Sequence, residues 1–163
     1  MGFLTRFLPR FESHSFGRPS WWEISPPIDS LAVLDGFRSL VSTPAIMTIE
    51  GVSIDQRIAD LLSKRSIEPS TDYKQVISWP RPKVFHVAFS EENVGFVISE
   101  ARSRSLPAHS IFNHLQIHWD GETVLQWFDY PFDEILISPL IPTERIKDFC
   151  SRFELAREAP EAG

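Results

Sequence analysis

The chain lacks most of the features that define specialised protein classes. It contains one cysteine, Cys150, among 163 residues, which excludes an intrachain disulfide and a cysteine-rich zinc site. It has only seven glycines and no G-x-G-x-x-G or G-x-x-x-x-G-K-[ST] pattern, so we predict no phosphate-binding loop and no cofactor. No apolar run approaches the roughly 20 residues that a membrane-spanning helix needs.

Basic residues are also scarce. There are 16 lysines and arginines against 22 aspartates and glutamates, for a formal net charge of −6. A general nucleic-acid binder needs an excess of positive charge to neutralise phosphates, so we predict no nucleic-acid partner. Arg6, Pro9 and Arg10 interrupt the apolar residues at the N-terminus, which excludes a secretory signal there, and we predict a cytoplasmic protein without a membrane span.

What is present is typical of a globular protein, with 42% apolar, 23% charged and 12% aromatic residues. We predict one domain over residues 1–163, with an N-terminal arm over 1–20 and a frayed tail over 157–163. The arm has apolar residues at helical spacing, and we expect it to pack on its own domain or to dock on a partner or a membrane surface. A homodimer formed through this arm is a further hypothesis. Its apolar residues are Phe3, Leu4, Phe7, Leu8 and Phe11.

Capping residues and apolar spacing predict the regular elements. Residues 17–27 are rich in proline and predict an irregular segment. Helices are predicted near 30–41 after Asp29, from a capping box at Ser53 to about Arg65, from Ser90 to about Ser103, and after Pro142. Strands are predicted over residues 45–50, 83–89, 111–119, 123–130 and 134–138.

This order of elements predicts an α+β fold of the α/β sandwich type. We expect a mixed five-stranded sheet with a C-terminal antiparallel meander and with the helices mainly on one face. The first two crossovers contain helices, which predicts parallel pairing of the strands that they join. The strand over 83–89 is nearly continuous in valine and phenylalanine, as a strand buried on both faces would be.

The hairpin around Asp120 and Gly121 has two candidate registers. A two-residue turn pairs Trp119 with Glu122 and mixes apolar and polar side chains on each face. A three-residue loop pairs Trp119 with Thr123 and makes one face mostly apolar, so we predict the three-residue loop. In that register Ile117 pairs with Leu125, and Leu115 with Trp127.

Three histidines are candidates for chemistry. His114 and His118 have the spacing of metal-ligating histidines on a helix, but on a strand they lie about 13 Å apart, so we predict polar surface residues and no metal site. His86 lies near the end of a strand and is predicted to be a hydrogen-bonded core residue. The alternative is a hydrolase-like enzyme in which His86 works with the carboxylates of Asp129 and Asp133. Cys150 lies on the apolar stripe of the last helix, which predicts a buried, unreactive thiol.

The strongest functional signal is the concentration of acidic and aromatic residues in the last third of the chain. Residues 110–163 contain ten acidic and four basic residues, which accounts for the whole net charge of −6. Aromatic residues surrounded by carboxylates suit a basic partner, because aromatic side chains anchor and charges steer. We therefore predict a non-enzymatic protein that binds a protein with a basic surface, by analogy of size and charge with small acidic bacterial immunity proteins that block nuclease toxins. The predicted binding residues are Trp127, Phe128, Asp129, Tyr130, Phe132, Asp133 and Glu134.

Overall fold

A computed structural model describes residues 20–160 of the chain. Within this range there are seven strands and four α-helices. The strands are β1 (Trp22–Ile24), β2 (Ala45–Gly51), β3 (Lys83–Ala88), β4 (His114–Trp119), β5 (Glu122–Trp127), β6 (Ile135–Ile137) and β7 (Arg157–Glu158). The helices are α1 (Ser30–Gly36), α2 (Gln56–Lys64), α3 (Glu91–Ser103) and α4 (Thr143–Arg152), with short 3-10 turns at Phe37–Ser39 and Ala108–Ser110.

The strands form one sheet in the order β3-β2-β4-β5-β6-β1-β7, and every neighbouring pair is antiparallel. The α+β class and the antiparallel C-terminal meander are therefore confirmed, whereas the prediction of five strands is wrong. The two extra strands are β1 and β7, which have three and two residues and pair with each other. Strands this short carry too few alternating residues for a pattern to reveal them. The two-layer sandwich stays a prediction.

The predicted parallel crossovers are wrong as well. β2 and β3 are antiparallel neighbours although α2 lies between them in sequence, and β4 pairs with β2 rather than with β3. The reason is the long connection over residues 66–82. It crosses the sheet after α2 and brings the chain back to the end of β2, where Lys83 begins β3 opposite Gly51. β3 is then an edge strand, and of its six residues only Val87 is fully buried, so the predicted burial on both faces does not occur.

The hairpin combines both registers considered from the sequence. Asp120 and Gly121 have φ angles of +53° and +80°, as a two-residue turn with two left-handed positions requires, and Trp119 pairs with Glu122. A β-bulge then shifts the register, so that Ile117 pairs with Leu125 as predicted. The prediction of a three-residue loop is wrong at the turn and right beyond the bulge, because the core requires the apolar face to be continuous.

Side-chain caps set the starts of three of the four helices described above. Asp29 accepts a hydrogen bond from Ala32 N and Ser90 from Asn93 N, so both predicted caps are confirmed. The predicted capping box at Ser53 is wrong: α2 begins at Gln56, and the Asp55 side chain accepts from Arg57 N and Ile58 N.

The two faces of the sheet differ in chemistry. The apolar face carries strand residues that join the helices in a single core, and these include Met47, Ile49, Leu115, Ile117 and Trp127. The opposite side chains of β2 and β4 form the polar face, defined by Thr48, Glu50, His114, Gln116 and His118, which is also buried. The prediction that His114 and His118 are surface residues is therefore wrong. Phe37 packs against Trp127 and Phe149 in the core, with ring centroids 5.8 and 5.6 Å apart.

β1 allows a direct test of this arrangement. Ile24 is fully buried between β6 and β7, whereas its neighbour Glu23 is exposed on the other face. We expect Ile24→Ala to lower the free energy of unfolding by about 2–5 kcal/mol, because it leaves a cavity in the core. The measurement is urea-induced unfolding followed by fluorescence.

The matched control is Glu23→Gln, which should stay within about 0.5 kcal/mol of the wild type. An Ile24→Ala variant as stable as Glu23→Gln would mean that β1 does not belong to the core.

Candidate functional site

The predicted binding residues lie where β5 ends and β6 begins. We call residues 128–134 the acidic loop. Its ends are held in place because Trp127 Nε1 donates to Asp133 O at 3.1 Å and Tyr130 N donates to Asn113 O at 2.9 Å. Inside the loop, Phe132 N donates to Asp129 O at 2.9 Å. These bonds give the loop a defined shape without a partner.

Trp127 and Tyr130 do not belong to a binding surface, which corrects the prediction. Their exposed fractions are 0% and 3%, and their rings pack edge to face with centroids 4.8 Å apart. Tyr130 also packs against Phe112, and its hydroxyl is 2.8 Å from Ser30 Oγ. Burial raises the pKa of Tyr130. Both side chains are core residues because their strand and loop positions face the helices.

The remaining predicted residues reach the surface. Phe132 is 77% exposed and the Asp129 side chain is 71% exposed. Asp133 and Glu134 are exposed, and Phe128 is half-buried against the His114 ring. The structure therefore brings an exposed phenylalanine and three carboxylates together on one short loop.

His114, rather than His86, is the histidine beside these carboxylates. Asp129 N donates to His114 Nδ1 at 3.0 Å, so the proton of the neutral ring lies on Nε2, which is 3.9 Å from Asp129 Oδ1. Burial lowers the pKa of His114, although the charges of Asp129, Glu50 and Asp133 oppose this change. The ring thus supports the loop as a neutral acceptor at pH 7.

The acidic loop concentrates negative charge that is not neutralised locally. Burial raises the pKa of Asp133, and the neighbouring charges of Asp129 and Glu134 raise it further, against the opposing effect of His114. In the described part of the chain, no lysine or arginine forms an ion pair with any of the three carboxylates. A cation brought by another molecule would relieve this repulsion.

The second candidate region is the polar face and the segment that covers it, and the sequence analysis missed it. We call residues 66–82 the strap. Its backbone meets the sheet through polar groups: Ile67 N donates to His86 O at 2.7 Å, and Lys74 O accepts from Gln116 Nε2 at 3.0 Å. The Glu50 carboxylate accepts from Val76 N at 3.0 Å and from Ile77 N.

Tyr73 lies at the centre of the strap. Its ring packs edge to face against His86 and His118, with centroids 4.6 and 6.5 Å away. Its hydroxyl is buried beside the Glu50 carboxylate without a hydrogen bond of normal geometry. Burial and the Glu50 charge raise the pKa of Tyr73 to about 12. No sequence pattern signals this contact, because Tyr73 belongs to an irregular segment.

His118 is held in one tautomer by its neighbours. The Asp72 carboxylate accepts from both Thr123 N, at 2.9 Å, and Thr123 Oγ1. Because that hydroxyl proton is engaged, Thr123 Oγ1 accepts from His118 Nδ1 at 3.1 Å. His118 Nε2 is then a bare acceptor, buried without a partner among residues 20–160. Burial lowers the pKa of His118 to about 4, despite the opposing charge of Asp72.

The hydrolase alternative loses its geometric basis. His86 Nδ1 is 2.9 Å from Thr48 Oγ1, and burial lowers the pKa of His86, as for a hydrogen-bonded structural histidine. The carboxylates that this hypothesis required beside His86 lie beside His114 instead. A surface depression of about 510 Å³ is lined by none of these histidines. It is lined by Arg38, Ser39, Val41, Ser42, Thr43 and Arg145.

The remaining residues considered for chemistry, the pair His114 and His118 and the thiol of Cys150, lie in regular elements of the fold. The strand predicted over residues 111–119 is present over His114–Trp119, and it separates His114 from His118. Within residues 20–160, no three histidine, cysteine, aspartate or glutamate side chains come together as a metal site would require. Cys150 is buried on α4, and burial raises the pKa of its thiol.

Comparisons with known proteins add no relationship: no family model, curated protein or solved structure matches this chain. Among the helices described here, none combines the length and apolar character needed to span a bilayer. The predicted arm over residues 1–20 falls, apart from Ser20, outside the described residues.

The buried histidines predict a pH-dependent stability. The unfolded chain takes up protons on its histidines below about pH 6.5, whereas folded His118 does so only near pH 4. The unfolded state then binds more protons, so the free energy of unfolding should fall as the pH is lowered from 6.5 to 4. His86 and His114 contribute in the same direction, because burial lowers the pKa of each.

We expect His118→Gln to flatten this dependence, measured by urea unfolding at several pH values. The matched control is His109→Gln, which replaces an exposed histidine. A wild-type slope preserved in His118→Gln would show that His118 is not the group responsible.

Proposed function

We propose that the protein binds a basic surface of another protein through the acidic loop and has no catalytic role in doing so. The observation that carries this proposal is the position of Phe132, which is 77% exposed between the carboxylates of Asp129 and Asp133. An exposed aromatic residue flanked by carboxylates suits an interface with a basic partner, because aromatic side chains serve as anchors and the charges beside them steer association.

The rigidity of the acidic loop supports the proposal. Trp127 and Tyr130 are buried on either side of Asp129 and hold the loop through the hydrogen bonds to Asp133 O and Asn113 O. A loop that is already ordered loses little conformational entropy on binding, which favours affinity. Burial of these two aromatic residues therefore contributes to binding through the shape of the loop rather than through contact.

The electrostatics of the loop support a basic partner in particular. Burial raises the pKa of Asp133, and the charges of Asp129 and Glu134 lie close enough to raise it further. Lysine or arginine side chains on a partner would replace this repulsion by attraction and accelerate association. The same charges would repel nucleic acid and anionic membranes.

We infer that the protein is an immunity or inhibitor protein that acts in the cytoplasm. A small acidic chain that presents one rigid loop suits the task of covering a basic active site. Two features support the non-enzymatic assignment over the hydrolase alternative: His86 is engaged by Thr48, and the carboxylates lie elsewhere.

The charge of the acidic loop can be tested without changing its shape. We expect the triple variant Asp129→Asn/Asp133→Asn/Glu134→Gln to weaken partner binding about 10- to 100-fold at low salt, because three favourable charge interactions are lost. The partner is captured from native lysate on the full chain, identified, purified and titrated by calorimetry.

The matched control is Glu68→Gln/Glu122→Gln/Asp148→Asn, which removes the same net charge from exposed positions elsewhere. We expect less than a threefold effect from it. Equal losses in the two triple variants would mean that only net charge matters, and unchanged binding in both would remove the acidic loop from the interface.

The aromatic contribution is tested separately. Phe132→Ala should weaken the same complex by about 1–2 kcal/mol at both low and high salt, because an apolar anchor is not screened by ions. Leu140→Ala, which removes a 56% exposed apolar side chain from another surface, serves as the control. Tight binding by Phe132→Ala would exclude Phe132 as the anchor.

A further inference from the structure

The strap leaves part of the sheet uncovered. Its hydrogen bonds and ring contacts reach β2, β3, β4, the β4–β5 turn and Thr123 near the start of β5. The cross-strand row Gln126–Leu136–Glu23–Glu158 continues the same sheet beyond the strap, across β5, β6, β1 and β7. We call these four residues the acidic row. Gln126 and Leu136 are half-buried, whereas Glu23 and Glu158 are exposed.

The acidic row contains an unfavourable pairing. Glu23 and Glu158 are directly opposite each other on β1 and β7, where like charges destabilise an antiparallel pair. Neither carboxylate forms an ion pair with a lysine or arginine of residues 20–160. A positively charged segment lying on the row would remove this repulsion, and apolar side chains beside it would cover Leu136.

The chain itself contains a segment with these properties. Residues 1–19 carry three arginines against one acidic residue, Glu12, although the whole chain is acidic. Between Phe3 and Phe11 the apolar residues stand next to Arg6 and Arg10, so one short stretch carries both the positive charge and the apolar side chains that the row would accept.

The covalent connection to β1 also keeps residues 1–19 within reach of the acidic row. Residue 19 is covalently joined to Ser20, two residues before Trp22, the first residue of β1. Neighbouring strands are about 4.8 Å apart, so the row extends about 10 Å from β1 on the side of β5 and about 5 Å on the side of β7. Nineteen residues reach at least about 28 Å even when helical. Tethering also gives a local concentration in the millimolar range, at which a weak contact is populated.

We propose that residues 1–19 bind the acidic row of their own chain, with Arg6 and Arg10 against Glu23 and Glu158 and with the apolar side chains over Leu136. The contact neutralises the like-charged pair and covers the part of the sheet that the strap leaves open. It is separate from the acidic loop, and no external partner is needed for it.

Trypsin cleavage of the full chain tests the contact, because trypsin must gain access to Arg6 and Arg10. We expect Glu23→Gln/Glu158→Gln to be cleaved at these two sites about 3- to 30-fold faster than the wild type at 20 mM NaCl, the factor expected for two exposed ion pairs. At 500 mM NaCl the difference should shrink to less than twofold, because exposed ion pairs are screened. Rates are normalised to cleavage of a small peptide substrate.

The matched control is Glu68→Gln/Glu122→Gln, which removes two exposed carboxylates outside the row and should be cleaved like the wild type. Equal rates in all three proteins would overturn the proposal. Protection that grows between 5 and 200 µM protein, with dimers seen by sedimentation, would identify a second copy as the occupant and would also overturn it. No partner protein is present in this experiment, so its failure would not bear on the acidic loop.

Discussion

The indole of Trp127 connects the core of this protein to its candidate binding surface. On one side the ring packs in the core against Phe37, which in turn contacts Phe149 of the last helix. On the other side its Nε1 donates to Asp133 O and so closes the acidic loop. Burial of a large aromatic ring is strongly favourable, and the ring has a polar atom that must find an acceptor. The loop conformation is therefore stabilised by the same residue that stabilises the core, which is why a solvent-exposed Phe132 can be held in a defined position.

The strap explains the unusual topology. A helix followed by a strand in the same sheet normally produces a parallel pair, but here a second long crossing follows the helix and reverses the direction. The strap covers a sheet face that is polar, and it does so by giving backbone N–H groups to Glu50 and a carbonyl to Gln116. Buried polar groups need such partners, and the strap provides them for Glu50 and Gln116. Tyr73 and His118 are the two side chains that keep an unpaired buried atom in this region of the described structure.

Local patterns predicted the parts of this fold that depend on neighbours in sequence. Asp29 and Ser90 cap helices because a short polar side chain can reach the amides two or three residues ahead. The alternation of Leu115, Ile117, Leu125 and Trp127 predicted the pairing beyond the bulge, because these residues must share the apolar face. For the candidate site, the carboxylates and Phe132 were found from composition, but the buried Trp127 and Tyr130 were included with them. Composition alone does not distinguish an aromatic residue that anchors a loop from one that contacts a partner.

The amino-acid sequence by itself determined the starts of the helices capped by Asp29 and Ser90, the antiparallel meander and the excess of acidic residues in the last third of the chain. Only the tertiary structure decided that β1 and β7 complete the sheet, that the strap reverses the chain, and that His114 rather than His86 supports Asp129. These outcomes depend on contacts between residues that lie far apart in the chain, such as Tyr73 with His118 and Glu23 with Glu158. Hydrophobic periodicity reports which face of an element is buried, but it contains no information about which distant segment covers that face.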